Sequence, residues 1–449
     1  MSLREALDVR AAEPAEAILR RATVLDPAAG IDGVHDVVIR DGRIAELAPP
    51  GEGRAEGAEV IEAEGLHAFP GFFDPHVHLR TPGQEHKEDI ETGTRAAAAG
   101  GYCGVLAMAN ASPPVSDPAD VAALRERARA SASVPVGFFA TVTRGMEGRE
   151  LTEMLALREA GAVGFSDDGL PIASARVMRR ALQYQRLCGG TIALHEEDPE
   201  LSGEGVMHEG PVSAALGLAG IPSVSESTMI ARDAALAAYE EARIHVQHLS
   251  AAESVEVVAA ARAAGVRISA EASPHHLCLT DEAVRDLDAR RHKMNPPLRS
   301  ERDRQALLAG LRDGTIECIA TDHAPHAAEE KEVPFEQAAM GVTGLETAFA
   351  ALHTYLVLPG VIDLALLVER LSGGAEPFGL PRPSLAPGSE ANVALCDLGA
   401  EWTVGEQGYE SRSSNSWCDG RTLTGRVLVT VAGGQFAYRL RSFSLGVAA

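Results

Sequence analysis

Residues 68–80 read Ala68-Phe69-Pro70-Gly71-Phe72-Phe73-Asp74-Pro75-His76-Val77-His78-Leu79-Arg80. The apolar run ending in alternating histidines predicts a buried strand that finishes in a polar cluster. On a strand, residues two apart point to the same side, so His76 and His78 can grip one ion. Arg80 continues that alternation and offers a planar fork suited to a carboxylate.

Other short apolar runs end the same way. His195 follows Thr191-Ile192-Ala193-Leu194, and His248 follows Ile244-His245-Val246-Gln247. Asp168 follows Ala162 to Asp167, and Asp322 follows Ile316 to Thr321. Strands are expected near 72–78, 104–110, 134–142, 162–167, 191–196, 244–250, 267–274 and 316–322. Helical stretches lie between them, among them 117–132, 147–160, 174–187 and 254–264. Eight strands with helical crossovers predict an α/β fold, a (β/α)8 TIM barrel, with chemistry at the carboxyl ends of the strands. The candidate ligands fall at the ends of the first, fourth, fifth, sixth and eighth strands.

The barrel is expected over residues 68–384. Residues 17–67 and 385–449 read as short strands with tight turns, which pair into one small β-sandwich domain made by both chain ends. Within it, Asp36–Arg40 and Arg43–Leu47 flank Asp41-Gly42, a hairpin signal. Residues 1–16 are Ala/Glu-rich with no clear apolar face and are expected to form a flexible extension. The apolar stretch 347–368 is broken by His353, Pro359 and Asp363, and reads as a core helix.

The 449 residues carry a net charge of −24, which argues against nucleic acid and anionic membrane surfaces as partners. A small anionic substrate remains compatible if cations and Arg80 make the site locally positive. Six scattered cysteines without a C-x-x-C pair read as free thiols. The amino terminus lacks an apolar targeting segment, so a cytoplasmic location is expected.

Four imidazoles and two carboxylates exceed the needs of one tetrahedral zinc. They suit two metal ions about 3.5–4 Å apart that share a hydroxide. An aspartate beside that water, with Asp322 the natural candidate, can take its proton and pass it to a leaving nitrogen. Hydrolysis of an amide-like bond is the chemistry this set performs well.

At this level of detail the chain resembles the amidohydrolase superfamily, and within it the class I dihydroorotases. The segments that carry the resemblance are Asp74–Asp89, Phe165–Gly169, Ser273–His276, Lys293–Arg299 and Ala320–His326. The resemblance implies that His76, His78 and Asp322 bind one zinc ion and His195 and His248 a second, with Asp168 bridging them and Asp167 as the fallback. It implies that Arg80, Asn110 and His326 hold a substrate carboxylate, Asn295 the ring, and the backbone at Met340-Gly341 its far edge. Asp322 would act as general base and then acid. The implied reaction is reversible ring closure of N-carbamoyl-L-aspartate to L-dihydroorotate, in pyrimidine synthesis. A homodimer, and a partnership with aspartate carbamoyltransferase, are implied likewise.

Many relatives, hydantoinases among them, bridge their metals with a carbamylated lysine on the fourth strand. The only lysines here are Lys87, Lys293 and Lys331, none of them on that strand. This argues against a hydantoinase- or allantoinase-like activity, the first alternative. The second, a non-catalytic partner of aspartate carbamoyltransferase, is opposed by the full ligand set. The chain departs from the family pattern at Met108-Ala109-Asn110-Ala111, where Met-Pro-Asn-Thr is usual, and at Met340, where an aromatic is usual. Asp74, His275, His276 and His323 read as structural groups around the site. The acidic stretch after His326 reads equally as a solvated connection or a lid.

Overall fold

The computed structural model describes residues 1–443; residues 444–449, assigned above to the small domain, lie outside them. Eight parallel strands run in order Phe72–Val77, Tyr102–Ala107, Val136–Ala140, Gly164–Phe165, Thr191–Leu194, Arg243–Val246, Arg267–Ala272 and Cys318–Ile319. Val77 bridges to His323, with the His78 amide donating to the His323 carbonyl at 2.9 Å, so the last strand meets the first and the sheet is a (β/α)8 barrel. Its strands are buried on both faces, which is why they read as apolar runs without alternation.

The chain ends form the second sheet. Gln435–Arg439, Thr422–Ala432, Val393–Thr403, His67–Pro70, Ala17–Asp26, Ile31–Arg40 and Arg43–Ala48 lie side by side in that order, and Glu59–Glu62 adds to Ala17–Asp26. The Asp41-Gly42 turn has positive φ at both residues, 46° and 68°, as a type I′ hairpin requires.

Three expectations change. Residues 1–16 are not a loose extension over their whole length. Ser2 and Glu5 cap a short helix, Leu3–Ala6, and Leu3 and Leu7 are buried in the barrel core. Gly104 and Gly137 leave room there: a Cβ on Gly137 would stand 2.9 Å from the Leu7 Cδ2. Asp8 then bridges to Val136 and pairs with Arg125 and Arg129 at 2.7 and 2.8 Å. The predicted helix 147–160 begins only at Met154, because Arg144 and Thr152 bond their backbones into a preceding loop. The 347–368 stretch is no single helix but Ala348–Leu352, a wider turn His353–Val357, and a new helix Leu364–Ser372 capped by Asp363. Among the described residues no helix is long and apolar enough to cross a membrane.

Candidate metal centre and anion pocket

The carboxyl ends of the strands bring six predicted ligands together. Asp168 Oδ1 lies 3.5 Å from His76 Nε2, 3.5 Å from His248 Nε2 and 3.8 Å from His195 Nδ1, while its Oδ2 lies 3.5 Å from His78 Nε2. Asp322 Oδ1 lies 3.5 Å from His76 Nε2 and 3.1 Å from His78 Nε2. The adjacent Asp167 points away, accepting the Val142 and Thr143 amides at 2.7 and 3.1 Å. Asp168 is thus the residue of the pair that faces the imidazoles.

Strand alternation accounts for only part of this cluster. The first strand ends at Val77, and Arg80 sits in the left-handed region with φ 53°. His248 (φ 33°) and Asp322 (φ 48°) share that rare conformation. Such strain persists only where the surroundings enforce it. Carboxylates do so here. Asp74 accepts the Thr321 amide and hydroxyl and the His76 amide, and Glu226 accepts the Ser250 and Ala251 amides just past His248.

The rings are set for metal. His76 Nδ1 lies 2.7 Å from Glu271 Oε1, His78 Nδ1 2.9 Å from Asn110 Oδ1, and His195 Nε2 3.4 Å from Glu197 Oε2. The Glu271 and Asn110 oxygens are acceptors, so the His76 and His78 rings carry their protons there and turn a lone pair inward, while His195 Nε2 stands between Glu197 and the Asn295 amide nitrogen, 3.3 Å away. His76 Nε2 and Asp168 Oδ1 are buried with no hydrogen-bond partner. Buried polar atoms are rarely left so, and two facing orphans within a nest of imidazoles fit a cation. His76, Asp168 and His248 form one group able to hold an ion, and His76, His78 and Asp322 another. Burial opposes charge on Asp168 and Asp322, yet the surrounding imidazoles hold both carboxyls below their ordinary range.

Beside these groups lies a cationic end. Arg80 Nε donates to the Pro325 carbonyl at 3.1 Å and Nη2 lies 3.4 Å from His326 Nε2. His326 Nε2 donates to the Met340 carbonyl at 2.8 Å; burial, Arg80 and Lys331 push its pKa down to about 3. Gly341, at φ 135°, has no room for a side chain, since a Cβ would meet the Ala324 Cβ at 2.6 Å. Asn295 gives its amide hydrogen to Glu197 at 2.7 Å, leaving its Oδ1 buried and unpartnered. Asn110 Oδ1 lies 2.9 Å from His78 Nδ1 and its amide nitrogen donates to the Asp168 carbonyl at 3.1 Å.

His276 bonds Ser273 and the Pro296 carbonyl, and His323 bonds Glu88 and the Gly344 amide. Both are framework groups. His275 keeps two unpartnered ring nitrogens. Sequence reading missed Glu271 and Glu197. The signal for Glu271 was a single carboxylate inside an otherwise buried strand, since an unpaired buried charge is costly and therefore has a partner.

A profile of the Dihydro-orotase-like family matches residues 66–254. A dihydroorotase of Anaeromyxobacter sp. (strain K) is 47% identical over 92% of this chain and 96% of its own length. One of Trichlorobacter lovleyi is 44% identical over 94% and 99%. Among solved structures, L-hydantoinase from Arthrobacter aurescens superposes with TM-score 0.83 at 24% identity, covering 94% of this chain and 95% of that one. Dihydropyrimidinase from Brevibacillus agri gives 0.82 at 24%, covering 96% and 97%. These two attest the fold alone. The sequence relatives go further: this chain belongs to the dihydroorotase family.

Proposed function

We propose that the chain is a class I dihydroorotase that binds two zinc ions and interconverts L-dihydroorotate and N-carbamoyl-L-aspartate. The observation that carries this reading is the adjacency of two ligand groups around Asp168 to a cationic end built on Arg80. A cyclic amide bearing a carboxylate matches both halves.

His76, His78 and Asp322 would hold one ion and His195 and His248 the other, with Asp168 between them. Bound there, such ions would lower the pKa of a water and polarise the scissile carbonyl. Arg80 binds the substrate carboxylate and so fixes the ring's orientation. Asn295 offers its unpartnered Oδ1 to a ring N–H. Met340 and Gly341 line the far edge through their backbone, and Asn110 acts mainly by orienting His78. Asp322 takes a proton at its carboxylate and returns it to the ring nitrogen as the amide opens. The neighbouring imidazoles of His76, His78 and His248 favour its ionised form against the cost of burial.

A hydantoinase-like activity fits the fold equally, but the position facing the imidazoles from the fourth strand is Asp168. None of the three lysines reaches it; each is bonded around residues 293–341. The test is dihydroorotate hydrolysis by metal-analysed protein beside Asp322→Ala. Turnover that vanishes in the variant, with about two zinc ions per chain, supports the reading. A fully loaded enzyme that ignores dihydroorotate but opens hydantoin or allantoin refutes it.

A further inference from the structure

Lys87, Lys293 and Lys331 are the only lysines of the chain, against 40 basic residues in all. All three are buried, and all three are bound to one segment, Pro325–Gly341. Burying an ammonium is costly unless its protons are satisfied, so three at one place mark a built device.

Lys331 spends its three protons on the carbonyls of Lys293, Ala339 and Gly341 at 3.1, 2.8 and 2.9 Å. Lys293 donates to the Phe335 and Glu336 carbonyls at 2.5 and 3.0 Å, and the Gly341 amide returns to the Lys293 carbonyl. Lys87, from the loop after the first strand, pairs with Glu330 at 2.7 Å. Glu330 also accepts the Ala327 amide at 3.0 Å and lies 3.4 Å from His326 Nδ1. His326 closes the circuit on the Met340 carbonyl.

We propose that the three lysines act together as positioning residues. They hold Pro325–Gly341 so that His326 and the Met340-Gly341 backbone stand opposite Arg80 and shape the carboxylate end of the site. The segment is then a specificity element, neither a solvated connection nor a free lid. This rests on the dihydroorotase reading for its substrate, and on nothing but the segment's anchoring for its structure.

Two measurements test it. In metal-replete Lys331→Met and Lys87→Met, KM for dihydroorotate rises about tenfold or more, with kcat within about threefold and zinc content unchanged. Lys87→Arg, which keeps a cation beside Glu330, restores KM. In parallel, acetic anhydride labelling read by mass spectrometry finds the lysines of the folded wild type protected relative to the α-amino group. In Lys87→Met, Lys293 and Lys331 gain reactivity together. Unchanged KM in both variants, or labelling of Lys293 and Lys331 that ignores the loss of Lys87, overturns the proposal. If Lys331→Met does not fold, Lys87→Met, whose partner Glu330 is partly exposed, still decides. Wild-type inactivity toward dihydroorotate refutes the functional reading, while the labelling still judges the anchoring.

Discussion

Glu271 Oε1 lies 2.7 Å from His76 Nδ1, and through that contact one carboxylate governs a ring shared by the group with Asp168 and His248 and the group with His78 and Asp322. Its other oxygen lies 3.0 Å from His245 Nε2, and the His248 amide donates to Oε1 at 3.3 Å. Glu271→Ala frees the His76 ring and relaxes the strained His248 backbone at once. Affinity for the metal proposed at this centre falls roughly 10–100-fold. Zinc content after dialysis against graded chelator measures this; wild-type retention would remove Glu271 from the orienting role.

Among the described residues, Arg80 is the guanidinium that stands beside His326, with Nη2 3.4 Å from its Nε2, and faces the charges of Asp322 and Asp168. A hydrogen bond to a charged group contributes about 1.5–3 kcal/mol, so Arg80→Met raises KM for dihydroorotate roughly 10–100-fold. Metal content stays at the wild-type level, since among the described residues Arg80 bonds Pro325 and His326 and none of the candidate ligands. Steady-state kinetics with metal analysis separate this from a collapse of the centre.

Glu346 ties the barrel to the segment 410–411, accepting the Glu410 and Ser411 amides at 3.0 Å each. Burial pushes its carboxyl from 4.5 up to about 7. Between those values the folded chain holds a proton that the unfolded chain has lost. Stability from this group is therefore complete below about pH 4.5 and drains away as pH rises through 7, by at most about 3 kcal/mol. Glu346→Gln should lose that slope, so urea midpoints of wild type and variant diverge from pH 5 to pH 7 in favour of the variant. Parallel midpoints would show that Glu346 stays ionised.

Leu7 is a buried part of the barrel core although it precedes the small domain. Leu7→Ala costs about 2–3 kcal/mol, visible in the urea midpoint, and removing residues 1–9 costs at least as much. Unchanged midpoints would mean that the Leu3–Ala6 turn is ornamental.

The barrel was readable because parallel strands buried on both faces read as apolar runs, and their ends announce a change to polar chemistry. Asp168, His195, His248 and Asp322 stood at such ends, and the structure gathers them with His76 and His78. Arg80, by contrast, reaches the site through a left-handed turn that no alternation rule foresees. Asn110 was legible as a site residue but its partners were not, because a side-chain amide serves a ligand or a substrate equally well. The amino-terminal helix was missed for a different reason. Two leucines make no apolar face until Gly104 and Gly137 open a place for them, and such complementarity lies more than a hundred positions downstream.

The barrel is closed by a narrow seam. Its first and last strands meet through a single bridge, Val77 to His323, and His78 and Asp322 stand 244 positions apart on either side of it. Closing so long a stretch of chain is entropically uphill, and a cation gripped from both sides would act as a clasp. During synthesis the two histidines leave the ribosome long before Asp322, so the grip can be completed only when the eighth strand has arrived. Metal capture would then report that the ring of strands has shut, making the candidate metal centre also the final inspection of the fold.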